Sequence, residues 1–143
     1  MDTSAETLVR RWFKELWGDG NEAVMVELMA AHAVVHGLPT PDGKPIVGPA
    51  GFLPLFRQFK GAFPDMKITM GPTVTHGDWV CAFCTVTGTH AGPGLGKPTQ
   101  SPVRFTGITM ARAQNGQLVE GWNAFDFLGC YQQIHLMPPL PPL

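Results

Sequence analysis

The sequence predicts an α+β fold, a cone built from a curved antiparallel sheet wrapped over N-terminal helices. Three observations carry this. The first 62 residues show helical spacing of apolar side chains, the segment from Met66 to Phe125 changes to a period of two, and turn signals divide that segment into consecutive strands. Glycines inside the long strands, Gly88 and Gly107, mark places where a sheet bends sharply. A bent sheet over helices leaves a cavity open at one end.

Thr3-x-x-Glu6 reads as a capping box that opens the first helix. Leu8, Val9, Trp12, Phe13, Leu16 and Trp17 follow on one broad face, and Gly18-Asp19-Gly20-Asn21 ends it. A second helix is expected over 22–31 with Val24, Met25, Leu28 and Met29 inward. The short run 33–36 reads as a strand, followed by a loop rich in Pro, Gly and Asp over 37–45. Gly48-Pro49 puts a proline in the first turn of a third helix that runs to about Ala62, with Pro54 inside it.

Met66, Ile68 and Met70 alternate with Lys67, Thr69 and Gly71, which is the pattern of a half-buried strand that Val74 resumes after Pro72. His76-Gly77-Asp78 reads as a hairpin turn. Long strands are expected over 79–90 and 103–112, separated by the Gly- and Pro-rich loop 91–99. Asn115-Gly116 is a strong hairpin signal, and the last strand runs from Leu118 to about Phe125. A short closing helix is expected over 128–136. Residues 1–136 read as a single domain, and the Pro-rich tail 137–143 fits neither a helix nor a central strand.

Bulk composition narrows the function. Its 143 residues suffice for one self-sufficient core. Charged residues make up 15%, below the usual quarter, which points to surface hidden in a pocket or a subunit contact. A net charge of −1 with scattered Lys and Arg argues against nucleic-acid binding. No apolar run is long enough to span a bilayer, so no membrane role is expected. The start lacks the pattern of a signal peptide, and three cysteines give no disulfide framework; a reducing, cytoplasmic setting is the expectation.

Few motifs carry chemistry. Cys81-Ala82-Phe83-Cys84 has CxxC spacing, but on a strand residues three apart face opposite sides, so packed thiols are the better reading. The five histidines (His32, His36, His76, His90, His135) show no metal-ligand spacing with a third partner, and no metal is expected. His76 reads as solvated, whereas His36 and His90 stand at strand ends beside loops, where cavity mouths form. Gly92-Pro93-Gly94-Leu95-Gly96 joins two strands and leads into no helix, which argues against a phosphate cradle.

Gly121-Trp122-Asn123-Ala124-Phe125-Asp126 is the one place where an amide and a carboxylate sit among aromatics. A carboxylate in apolar company is suited to proton transfer, which makes Asp126 a candidate acid/base. Asp126 equally fits the N-cap of the closing helix. On a continuing strand Trp122, Ala124 and Asp126 share one face and Asn123 takes the other; coiling at Phe125 would instead bring Asn123 and Asp126 together. Trp17, Phe56, Phe59, Phe105 and Trp122 are the expected substrate-binding aromatics.

With these pieces placed, the chain resembles the SnoaL-like polyketide cyclases of the nuclear-transport-factor-2-like superfamily. The resemblance rests on Val9-Arg10-Arg11-Trp12-Phe13, Val35-His36-Gly37, Ala62-Phe63-Pro64-Asp65, Gly77-Asp78-Trp79-Val80, Gly88-Thr89-His90, Phe105-Thr106-Gly107-Ile108 and Glu120-Gly121-Trp122-Asn123-Ala124-Phe125-Asp126. It implies a homodimer of cones, each with a hydrophobic pocket and no cofactor or metal. It also implies an acidic residue near the end of the sheet, matched by Asp126, as acid/base in an intramolecular aldol ring closure. His36, His90 and Asn123 match recurrent polar positions. Three functions follow as expectations: a cyclase acting on a hydrophobic carbonyl compound, an epoxide hydrolase or dehydratase using an Asp-positioned water, and a non-catalytic binder of hydrophobic ligands. Fold membership alone does not choose among them.

Overall fold

The computed structural model describes residues 2–143. The first helix, α1 (Ala5–Arg11), is capped by Ser4, whose hydroxyl accepts from the Thr7 amide at 3.3 Å. The cap therefore lies one residue beyond Thr3, and Asp2 adds a 2.6 Å bond from the Thr7 hydroxyl. The helix continues over Trp12–Gly18 with wider π-helical winding, closed by the Asp19 amide on the Lys14 carbonyl at 2.9 Å. Wider winding brings Trp12, Phe13, Leu16 and Trp17 all inward, and such turns recur at functional sites.

Helix α2 (Ala23–Leu28) is shorter than the pattern suggests, because β1 (Met29–His36) begins where the helical spacing still holds. Pairing with other strands overrides the local preference there. A two-residue strand, β2 (Ile46–Val47), goes unseen in the sequence and leads into α3 (Gly48–Ala62). Pro54 sits inside α3 without ending it, since the helix buries Phe52, Leu55, Phe56 and Phe59.

Four strands follow: β3 (Lys67–His76), β4 (Trp79–Thr89), β5 (Pro102–Gln114) and β6 (Gln117–Phe125), then α4 (Phe127–Gln133). The sheet order is β2-β1-β6-β5-β4-β3, a curved and unclosed six-stranded sheet. All neighbours are antiparallel except β1 and β6, which run parallel with Val35 opposite Gly121 and His36 opposite Trp122. The register slips between Met70 and Thr73, where Gly71-Pro72 interrupts β3.

Alternation assigns the two faces. On β5 the buried set is Val103, Phe105, Gly107, Thr109, Ala111 and Ala113, while Arg104, Ile108 and Arg112 are exposed or half-buried on the other side. The buried face packs on the helices to form one core that includes Leu8, Leu16, Phe52, Phe63 and Val80. Each such large apolar side chain contributes about 1.5–3 kcal/mol on burial. Gly107 allows a close approach within the sheet: a Cβ there would lie 2.4 Å from the Phe125 ring and 2.6 Å from the Phe125 Cα. Residues 138–143 lie exposed at the C-terminus. Among the described residues no helix is long and apolar enough to cross a membrane.

One surface network couples the fold to pH. Arg11 reaches Glu15 at 2.6 Å and Glu27 at 2.9 Å, tying the first helix to α2. The Arg11 guanidinium holds the Glu15 carboxyl below its ordinary value of 4.5. A lowered folded value means this contribution is present above the unfolded value and lost as acid protonates the carboxylate. Urea midpoints measured from pH 6 down to pH 3 are expected to fall less steeply in Glu15→Gln than in the wild type.

Candidate functional site

A cavity of about 110 Å³ lies between the inner face of the sheet and the helices. Its walls are almost wholly apolar. The first helix contributes Trp12, Phe13 and Trp17, α3 contributes Phe52 and Phe59, and the sheet contributes Val86, Phe105 and Phe125. The aromatic wall is braced edge to face, with Trp12 and Phe52 at 5.0 Å and Trp17 and Phe52 at 6.0 Å between ring centres. The mouth lies beside Leu38, Pro39 and Phe127, which also border a shallow outer hollow lined by His36, Lys44 and Pro45.

Polar side chains enter this wall at one spot. Thr109 on β5 and Asn123 on β6 are directly opposite in register. The Thr109 hydroxyl donates to Asn123 Oδ1 at 2.9 Å, and Asn123 Nδ2 donates to the His36 carbonyl at 3.1 Å. Gly37 follows with φ +84°, and a Cβ there would lie 1.9 Å from the Asn123 carbonyl oxygen. Glycine is therefore required where the chain leaves β1 for the mouth loop.

The candidate residues divide between several places. Trp17, Phe59, Phe105 and Asn123 line the cavity. Phe56 stands behind the wall, buried against Trp17 at 4.9 Å between ring centres, and does not face the cavity. Trp122 does not face it either. It alternates with Asn123 to the outer side of the sheet, where it stacks on His36 and on Trp79, each at 5.4 Å.

Asp126, the expected acid/base, is exposed and caps α4: its Oδ1 accepts from the Gly129 amide at 2.8 Å. The strand stays extended through Phe125, so the parity that turns Asn123 inward turns Asp126 away from the cavity.

His36 and His90 take structural positions. His36 Nε2 meets Glu120 Oε2 at 2.8 Å, and Glu120 also approaches Arg112 at 3.9 Å. Glu120 borders the cavity through its place on β6, but its carboxylate meets these partners on the outer face. His90 is fully buried against Phe63, away from the cavity wall, and its Nδ1 accepts from the Thr99 amide at 3.2 Å. That bond places its proton on Nε2.

The two buried thiols are poor nucleophiles. Burial pushes Cys84 up to about 11 and Cys130 up to about 12. Cys81 and Cys84 lie on opposite faces of β4, as alternation requires. Among the described residues no group of three or more metal-ligating side chains comes together.

A family profile for SnoaL-like polyketide cyclase matches residues 7–134. The chain belongs to the SnoaL-like polyketide cyclase family. Its structure is similar to that of IdmH from Streptomyces antibioticus, a candidate polyketide cyclase, with 29% identity, a TM-score of 0.77, and coverage of 91% of this chain and 97% of IdmH. A candidate SnoaL-like polyketide cyclase from Jannaschia has 24% identity and a TM-score of 0.77 over 93% of this chain and 92% of its own. AclR from Streptomyces galilaeus, a candidate hydroxylase, has 22% identity and a TM-score of 0.78 over 95% and 83%. No curated protein matches the sequence. The last two likenesses, both below 25% identity, concern the nuclear-transport-factor-2-like fold.

Trp12, Phe13, Phe52 and Phe125 join the wall beyond the expected aromatics, and Thr109 is a polar wall residue that the sequence reading missed. The signal was present in the alternation of β5: Thr109 is the polar member of an otherwise apolar inward set. Asp126→Ala is expected to lower stability by about 0.5–2 kcal/mol through loss of the cap, and Asp126→Asn far less, since asparagine also caps. Urea denaturation measures both, and neither change should alter ligand binding in the cavity.

Proposed function

We propose that the cavity binds a hydrophobic, carbonyl-bearing small molecule and holds it folded for ring closure. The observation that carries this reading is the wall itself, aromatic and aliphatic around nearly its whole surface, with Thr109 and Asn123 as its polar spot. Water gains little in such a space, whereas an apolar ligand gains roughly 25 cal/mol for each Å² it buries. Membership of a polyketide cyclase family supports a ring-closing reaction. Holding reacting carbons together lowers the entropic part of the barrier without any ionised side chain in the cavity. Asp126 has no part in this reading, because it caps α4 on the surface. The same outward position supports a second reading, a binder of hydrophobic ligands without turnover.

Acetophenone serves as a minimal neutral probe. It is expected to raise the thermal midpoint of the protein in a concentration-dependent way. Ala111→Leu, which fills part of the cavity from β5, should weaken that binding at least about tenfold. Undiminished affinity in a folded Ala111→Leu variant would place the ligand elsewhere and sink the reading.

The outer face of the sheet supports a homodimer. Phe83 and Ile108 are direct cross-strand neighbours and remain 43% and 45% exposed, on the same sheet face as Trp79 at 37%. Arg112 and His36 on the same face both approach Glu120, which reduces the charge they bring to a contact with a second copy. Sedimentation should show a dimer, and Phe83→Glu combined with Ile108→Lys should give a monomer that keeps its far-ultraviolet spectrum.

A further inference from the structure

Among the described residues Thr109 is one of two buried polar side chains, only 6% exposed. Its hydroxyl and the Asn123 amide meet inside a wall of hydrocarbon. The orientation of that amide is fixed by chemistry. The His36 carbonyl can only accept, so the end of Asn123 facing it at 3.1 Å is the nitrogen, and the oxygen faces the Thr109 hydroxyl at 2.9 Å. These two bonds use one N–H and one oxygen lone pair. Among the described residues the second N–H of Nδ2 has no hydrogen-bond partner. Both residues line the cavity.

We propose that Thr109 is a positioning residue for ligand recognition: its hydroxyl locks the Asn123 amide so that the remaining N–H is presented to a carbonyl oxygen of the ligand. The inference rests on the cavity reading given above and adds to it the polar half of the specificity. A ligand with a carbonyl pairs the N–H in an apolar setting. A ligand of the same shape with a methylene there leaves it unpaired, and such sites discriminate strongly because the protein group is stranded. Valine in place of Thr109 keeps the shape but removes the lock. The amide is then held only through His36, and its N–H loses its fixed direction.

The test compares acetophenone with ethylbenzene, which differ only by C=O against CH₂, using NMR titrations of the intact protein. The readout is the ratio of the two affinities, which cancels their different hydrophobicity across variants. Thr109→Val is expected to reduce that ratio about five- to tenfold, chiefly through acetophenone, and Thr109→Ser to restore it to within about twofold of wild type. The bound carbonyl-¹³C signal of acetophenone should also lie farther downfield in wild type and Thr109→Ser than in Thr109→Val, because only there is the carbonyl held on the directed N–H.

An unchanged ratio in Thr109→Val overturns the proposal, and so does equal weakening of both ligands, which marks a purely structural role. A bound carbonyl signal at the same position in wild type and Thr109→Val overturns it as well. If the valine chain does not fold, Thr109→Ala is read in the same way. Equal success of both ligands in every variant leaves the cavity reading standing and removes only this one. Failure of both to bind wild type removes the two together.

Discussion

The Asn123 side chain joins three strands at a polar spot in the cavity wall. It accepts from Thr109 on β5, donates to the end of β1 through the His36 carbonyl, and stands on β6 between them. β1 and β6 run parallel, a pairing that no hairpin holds together. The amide bridges them just where β1 ends and the mouth loop departs. Gly37 completes the junction, since any side chain there would collide with the Asn123 backbone. The position of the mouth therefore depends on an amide, a hydroxyl and a missing Cβ.

The cavity arises from a division of labour between the two sheet faces. Inward positions carry Val86, Phe105, Ala111 and Phe125, while the ionisable groups of the same strands, Arg112 and Glu120, point outward and satisfy one another with His36. An ionised group turned inward would have to be desolvated without a partner. The structure avoids that cost, and its consequence is a chamber suited to shape and apolar contact rather than to acid/base chemistry by its own side chains.

Much of this was legible in the sequence, and the failures have physical causes. The long strands declared themselves through alternation, and Asn115-Gly116 located the turn between β5 and β6. The start of β1 did not, because Met29 and Ala30 continue the spacing of α2 and only long-range pairing makes them strand. The parallel partner of β1 is likewise invisible locally. Within the site, alternation along β6 contained the answer: continued extension puts Asn123 inward and Asp126 outward. Whether the strand continues through Phe125 is decided by its pairing with Gly107, a contact across the sheet. His90 misled for a similar reason, since its fully buried place against Phe63 depends on how loop 91–101 folds back.

The four tryptophans fall into two pairs on opposite sides of the sheet. Trp12 and Trp17 stand in the cavity wall, whereas Trp79 and Trp122 stack on one another outside, with His36 and Arg112 beside them. Their light emission therefore comes from two separate environments, one dry and one partly wet. The inner pair responds to whatever enters the chamber, and the outer pair to contact with another protein. Replacing either pair with phenylalanine would leave a chain whose colour reports on a single face.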